Sequence, residues 1–144
     1  MFREILVPVD LTPKNERAVQ MARDLATSFG ARIVLLHVIE LLDLPFEELE
    51  EFYARLQARA ITHMEGLSQK LAAAEVPFEV HVEYGDRTQR ILLRARERGS
   101  DLIVMESHVV GPDRGPTTIS YRVAVAAECP ILLVKGERSR SPTT

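Results

Sequence analysis

The sequence predicts a doubly wound α/β domain: a five-stranded parallel sheet in the order 3-2-1-4-5, Rossmann-like, with helices on both faces. Three observations lead to it. Apolar, β-rich runs recur at Ile5–Val9, Ile33–Val38, Leu102–Met105 and Ile131–Val134, the signature of strands covered on both faces. Between them lie segments whose apolar residues are spaced three and four apart, so strands and helices alternate along the chain. Gly30 and Gly99 each stand between such a segment and the next apolar run, where a helix stop is expected.

Taken in order, the first strand spans Phe2 to Val9 and ends at Asp10. A helix from Pro13 to Phe29 follows, with Thr12 as N-cap and Pro13 at its first position. Ile33 to Val38 is the second strand, and a right-handed crossover makes the two strands and their helix one βαβ unit. A long helix runs from Phe46 to about Ala74, its stripe marked by Tyr53, Ala60, Met64, Leu67 and Leu71. Glu47, Glu48, Glu50 and Glu51 occupy its first turns, where carboxylates complement the helix dipole. The third strand, Phe78 to Glu83, alternates apolar Phe78, Val80 and Val82 with Glu79, His81 and Glu83, as a strand with one wetter face at a sheet edge would. Asp86 caps a helix from Arg87 to Arg98, Asp101 to Met105 is the fourth strand, a helix runs from about Thr118 to Ala127, and Pro130 to Lys135 is the fifth strand.

All of this fits one domain, 1–136, with the polar residues 137–144 expected to be a disordered tail. The formal net charge of −3 argues against non-specific nucleic-acid binding, which requires clustered cations. Arg87, Arg90, Arg94, Arg96 and Arg98 form a stripe that reads as a solvated helix face with Glu97 interspersed. No run reaches the roughly 20 apolar residues of a membrane span, and Arg3 and Glu4 stand where a signal peptide would be apolar, so a cytoplasmic protein with no membrane partner is expected. Cys129 is the only cysteine, which excludes an intramolecular disulfide, and it reads as a small buried apolar residue.

If the sheet has the order 3-2-1-4-5, its winding reverses between strands one and four, and ligands bind at that reversal beyond the carboxyl ends of the strands. Those ends are Asp10 and the loop after Met105. Ile5-Leu-Val-Pro-Val-Asp10, Glu16-Arg-Ala18, Leu36-His-Val38, Gly85-Asp86, Asp101-Leu-Ile-Val-Met105 and Cys129-Pro-Ile-Leu-Leu-Val134, in this order and spacing, resemble the universal stress protein family over nearly the whole chain. The resemblance implies the same five-stranded, adenine nucleotide alpha hydrolase-like fold. Its nucleotide-binding members carry a motif of Gly, two residues, Gly, nine residues, then Gly and Ser or Thr before the last helix. The resemblance further implies that Asp10 and the backbone of Val38 hold adenine, and that Thr118 matches the final Ser or Thr. Pro8, Val9 and Thr12 beside Asp10, and Met105, Ser107, His108, Gly111, Gly115 and Thr117 in the loop, complete the implied ligand site.

The motif glycines are replaced. Glu106 stands at the first, Val109 at the second and Thr117 at the third, and the loop is two residues shorter. A β-branched residue resists the φ > 0 conformation that glycine allows, and a carboxylate beside phosphates repels them. Gly111 and Gly115 are the glycines from which an anion nest in another register could be rebuilt, with Arg114 facing the phosphates. Asp10 has two open readings, a carboxylate for a ligand or Mg²⁺, or the acceptor of an Asx turn. His108 with Asp10 and Ser107 lacks an oxyanion site and reads as a loop-shaping residue, His37 as a hydrogen-bonded core histidine, and His63 and His81 as residues without ligand-spaced partners.

The expected function is a non-catalytic stress-response protein, weak in ATP binding, that acts through dimerisation and an unknown protein partner. The alternative is a switch that binds ATP or AMP, with Mg²⁺, through a rebuilt loop. A homodimer through strand five is expected, partly because family members pair through their last strands and partly because an apolar edge strand needs a partner.

Overall fold

Strands and helices alternate through residues 1–107 and 118–135, the part of the chain that the computed structural model describes, the side chains of Lys14, Phe46 and Glu48 excepted. His108, Val109, Gly111, Gly115 and Thr117 of the expected ligand loop, and the expected tail 137–144, lie outside the described residues. The elements are β1 (Glu4–Pro8), α1 (Glu16–Phe29), β2 (Arg32–Ile39), α2 (Phe46–Ala73), β3 (Phe78–Tyr84), α3 (Arg87–Arg98), β4 (Leu102–Ser107), α4 (Ile119–Ala126) and β5 (Ile131–Lys135). The strands form one parallel sheet in the order β3-β2-β1-β4-β5.

Because successive strand residues point to opposite faces, each strand feeds two cores. Ile5, Val7, Ile33, Leu35 and Val104 join Ala18, Val19 and Ala22 of α1 and Met64, Leu67 and Leu71 of α2 on one face. Leu6, Val34, Leu36, Ile103 and Met105 join Ile91 and Ala95 of α3 and Val123 of α4 on the other. Full burial of one such side chain contributes about 1.5–3 kcal/mol, so the register of the central strands is strongly fixed.

The helix ends follow local chemistry. Asp86 Oδ1 accepts from Gln89 N at 2.9 Å, capping α3, and α3 stops at Gly99, whose φ of 65° is left-handed. Thr118 Oγ1 accepts from Tyr121 N at 3.2 Å and caps α4. Three expectations need correction. Pro13–Asn15 is a separate 3₁₀ turn ahead of α1, and Thr12 makes no side-chain cap, because its hydroxyl donates to Asp10 instead. The arginines of α3 are not a merely solvated face. Arg94 meets Glu83 at 2.8 Å, Arg98 meets Glu4 at 2.8 Å and Glu79 at 2.9 Å, Arg90 lies 3.9 Å from Glu83, and Arg87 lies 3.8 Å from Glu40. Finally, β3 is an edge strand as expected, but its charged face is not the wetter one. Val80 is exposed while Glu79 and His81 are half-buried, since Arg32, Arg98 and His81 all converge on Glu79.

Candidate functional site

β1 pairs with β2 at five positions, Glu4 to Pro8, but with β4 at only two, Ile5 opposite Leu102 and Leu6 opposite Ile103. α1 packs on one face of the sheet and α4 on the other, so the crossovers leaving β1 and β4 diverge and the crevice beyond Leu6 stays open. A cavity of about 360 Å³ fills that opening, within the usual size of small-ligand sites, about 300–1,000 Å³.

Each wall has a separate origin. Pro8, Val9 and Asp10 come from the end of β1, with Asn15 behind them; Leu36 and Val38 come from β2; Met105 and Glu106 come from β4. Arg87 and Ile91 enter from the first turn and a half of α3, and Thr118, Ile119 and Ser120 from the start of α4. The lower walls are apolar, Leu36, Val38, Ile91 and Met105. Among the described residues the rim carries one cation, two carboxylates and a helix start whose first N–H groups an α-helix cannot pair internally.

Asp10 forms the Asx turn and also lines the cavity. Its Oδ1 accepts from Thr12 N at 2.9 Å, from the Thr12 hydroxyl and from Asn15 Nδ2, and no bond to Oδ2 forms among the described residues. Partial burial pushes this carboxyl up, but the bonds from Thr12 and Asn15, with Arg87 nearby, outweigh it and hold the group below its ordinary 3.8. His37 is the core histidine expected. It is buried, and Nδ1 donates to Val9 O at 2.9 Å, which fixes the proton on Nδ1 and ties β2 to the end of β1. Burial lowers its pKa below 6.5 despite that bond, and Arg87 adds to the lowering.

Of the expected site residues, Pro8, Val9, Asp10, Val38, Met105 and Thr118 come together around the cavity. Thr12 and Ser107 do not line it. Thr12 is turned to Asp10, and Ser107 is buried with its Oγ accepting from Lys135 Nζ at 3.4 Å. Asn15, Leu36, Arg87, Ile91, Ile119 and Ser120 line it without having been expected. Arg87 had a readable signal, since it follows the Asp86 cap and so begins a helix at the same end of the sheet as Asp10. Asn15 had none, because its role is to brace Asp10 from a 3₁₀ turn that the helical pattern conceals. Among the described residues no three His, Cys, Asp or Glu side chains gather as a metal site, and no helix is long and apolar enough to cross a membrane.

The arrangement suits a flat apolar group on the lower walls with a polar or singly anionic group at the rim. Residues 1–135 match the model of the universal stress protein family. A universal stress protein of Thermus aquaticus, encoded in the 3′ region of a QAH/OAS sulfhydrylase, is 30% identical over 94% of this chain and all of its own length. Two solved structures share the fold: a universal stress protein in complex with cAMP (17% identity, 94% of this chain and 99% of that one, TM-score 0.78) and an Arabidopsis thaliana family protein with AMP bound (20% identity, 98% and 96%, TM-score 0.75).

Proposed function

Because the chain belongs to the universal stress protein family, we propose that it is a non-catalytic, cytoplasmic stress-response protein that works through dimerisation and a partner protein and holds ATP poorly. The observation that carries this reading is the place of Glu106. It lines the switch-point cavity at the position where nucleotide-binding relatives have the first motif glycine. At an effective dielectric constant of about 20, two like charges about 5 Å apart repel by about 3 kcal/mol, and a triphosphate presents several such charges.

The same cavity favours a second reading, an adenine-nucleotide switch of low charge. AMP or cAMP would set its base on Leu36, Val38, Ile91 and Met105 and bring fewer charges to Glu106, while Arg87 and the start of α4 favour an anion. The bound AMP and cAMP of the two solved structures support it.

Dimerisation is proposed at β5, an outer strand of the sheet whose Ile131, Leu132 and Leu133 are half-buried in the single chain. A second copy there would cover an apolar edge that otherwise invites aggregation.

Calorimetric titration with ATP–Mg²⁺, AMP and cAMP tests the ligand reading. ATP should bind more weakly than about 10 µM, on the order of −7 kcal/mol, and Glu106→Gln should strengthen ATP severalfold while leaving adenosine nearly unchanged. Tight ATP binding by the wild type would overturn the proposal. AMP binding without ATP binding would move the assignment to the switch.

A further inference from the structure

We infer that the segment joining β2 to α2 is a docking surface for a cationic amphipathic segment of a partner protein. Leu41, Leu42, Leu44 and Phe52 are 55%, 50%, 56% and 40% exposed, four large apolar side chains within twelve residues. They are presented by a built loop. Leu42 N donates to the Tyr53 hydroxyl at 2.6 Å and Leu44 N to Leu42 O at 2.8 Å. Tyr53 is itself buried and meets the rings of Phe52 and Tyr84 edge-on, at centroid distances of 5.6 and 6.0 Å. One anchored tyrosine thus ties the leucine loop to the helix turn that carries Phe52. Grouped apolar exposure of this kind marks interaction sites.

Charge selects the occupant. Residues 40–51 contain six of the chain's 21 carboxylates and none of its 18 lysines and arginines, so elsewhere basic residues outnumber acidic ones. Glu40 lies near Arg87, but among the described residues no cation pairs with Asp43, Glu47, Glu50 or Glu51. A second copy meeting the patch face to face would set one acidic ring against another, and nucleic acid or an anionic lipid surface would be repelled. A segment with an apolar face flanked by Lys and Arg covers the leucines and meets the carboxylates, the complementarity that speeds and orients association.

The test uses the whole chain and a fluorescein-labelled amphipathic peptide of leucine and lysine, about 14 residues or four turns long, read by anisotropy. Saturable binding is expected. It should weaken at least about tenfold, the scale of losing central apolar anchors, in Leu42→Asp/Leu44→Asp, and weaken with added salt. It should not change in Leu93→Asp, where a residue 44% exposed on α3 is altered instead. If the double variant fails to fold, Glu47→Lys/Glu50→Lys keeps the leucines and should also weaken the peptide. Equal binding by wild type and these variants, or no saturable binding, overturns the inference. So does light scattering in which only the double variant loses a dimer, or capture of wild type but not the variant by phosphatidylcholine vesicles, since each names a different occupant.

Discussion

Asp10→Ala is expected to destabilise the protein by about 2–3 kcal/mol, and the figure comes from the bonds that converge on one oxygen. Oδ1 accepts three hydrogen bonds, two from Thr12 and one from Asn15. A bond to a charged acceptor contributes about 1.5–3 kcal/mol. Asn15 Nδ2 keeps Asp10 O at 3.1 Å and Thr12 O at 3.2 Å in the variant, so its bond is largely replaced. The two bonds from Thr12 are lost to a half-exposed site where water substitutes in part, which leaves about 2–3 kcal/mol after discounting for solvent screening. Asp10→Asn retains an acceptor but not the charge, and should cost about 1 kcal/mol, since neutral bonds are about half as strong. Urea unfolding followed by circular dichroism reads both, with the slope m unchanged. Since the folded pKa lies below 3.8, the carboxylate's contribution is complete above that value and is lost as pH falls through the folded pKa. The gap between wild type and Asp10→Asn should therefore close on acidification below about 3.8. A loss under about 0.5 kcal/mol at neutral pH, or a gap independent of pH, would refute the account of this loop.

Three further outcomes are expected. His37 has a folded pKa below 6.5, so the unfolded chain binds the proton first. Its contribution to stability is full above 6.5 and declines as pH falls from there, with a slope of at most about 1.4 kcal/mol per pH unit; the difference between wild type and His37→Leu across that range should show this slope, and a flat difference would contradict it. Gly85 has φ +141°, and a Cβ there would sit 2.8 Å from Arg90 Nε, so Gly85→Ala should cost about 1–3 kcal/mol in thermal or urea unfolding. Leu132→Lys should convert a dimer to monomer in light scattering, and an unchanged dimer would remove β5 as the interface.

The fold was legible because its strongest signals are local. The Asp86 cap, the Gly30 and Gly99 stops and the apolar strands each act within a few residues, and the reversal between β1 and β4 follows from connection rules. The site was legible where it sits on strand ends, as at Asp10, Val38 and Met105. It was hidden where a side chain's use depends on a distant partner. Thr12 reads as a cap until Asp10 takes its hydroxyl, and the arginines of α3 read as solvated because their partners lie on other elements, Glu79 and Glu83 on the preceding strand β3 and Glu4 on the distant β1. Ser107 has the composition of a ligand hydroxyl, yet the strand places it in the interior. The exposed leucines of the β2–α2 loop carry no periodicity, so only Tyr53, eleven residues beyond Leu42, explains why they are held in place.

The length of α2 has a kinetic consequence. Its 28 residues extend about 42 Å at 1.5 Å per residue, whereas β2 with 8 residues extends about 26 Å. Among the described side chains of α2 the first buried one is Tyr53, which meets Tyr84 at the end of β3; Ala60, Met64, Leu67 and Leu71 follow over the sheet. Glu47, Glu50, Glu51 and Phe52 ahead of Tyr53 are exposed, so the amides of these turns can open by fraying without breaking the core. One helix then has two exchange regimes. Amide deuteration should run rapidly from residue 49 to 52, on openings as fast as the helix–coil relaxation of about 0.1–1 µs, while residues 60 to 71 exchange only when the sheet itself comes apart.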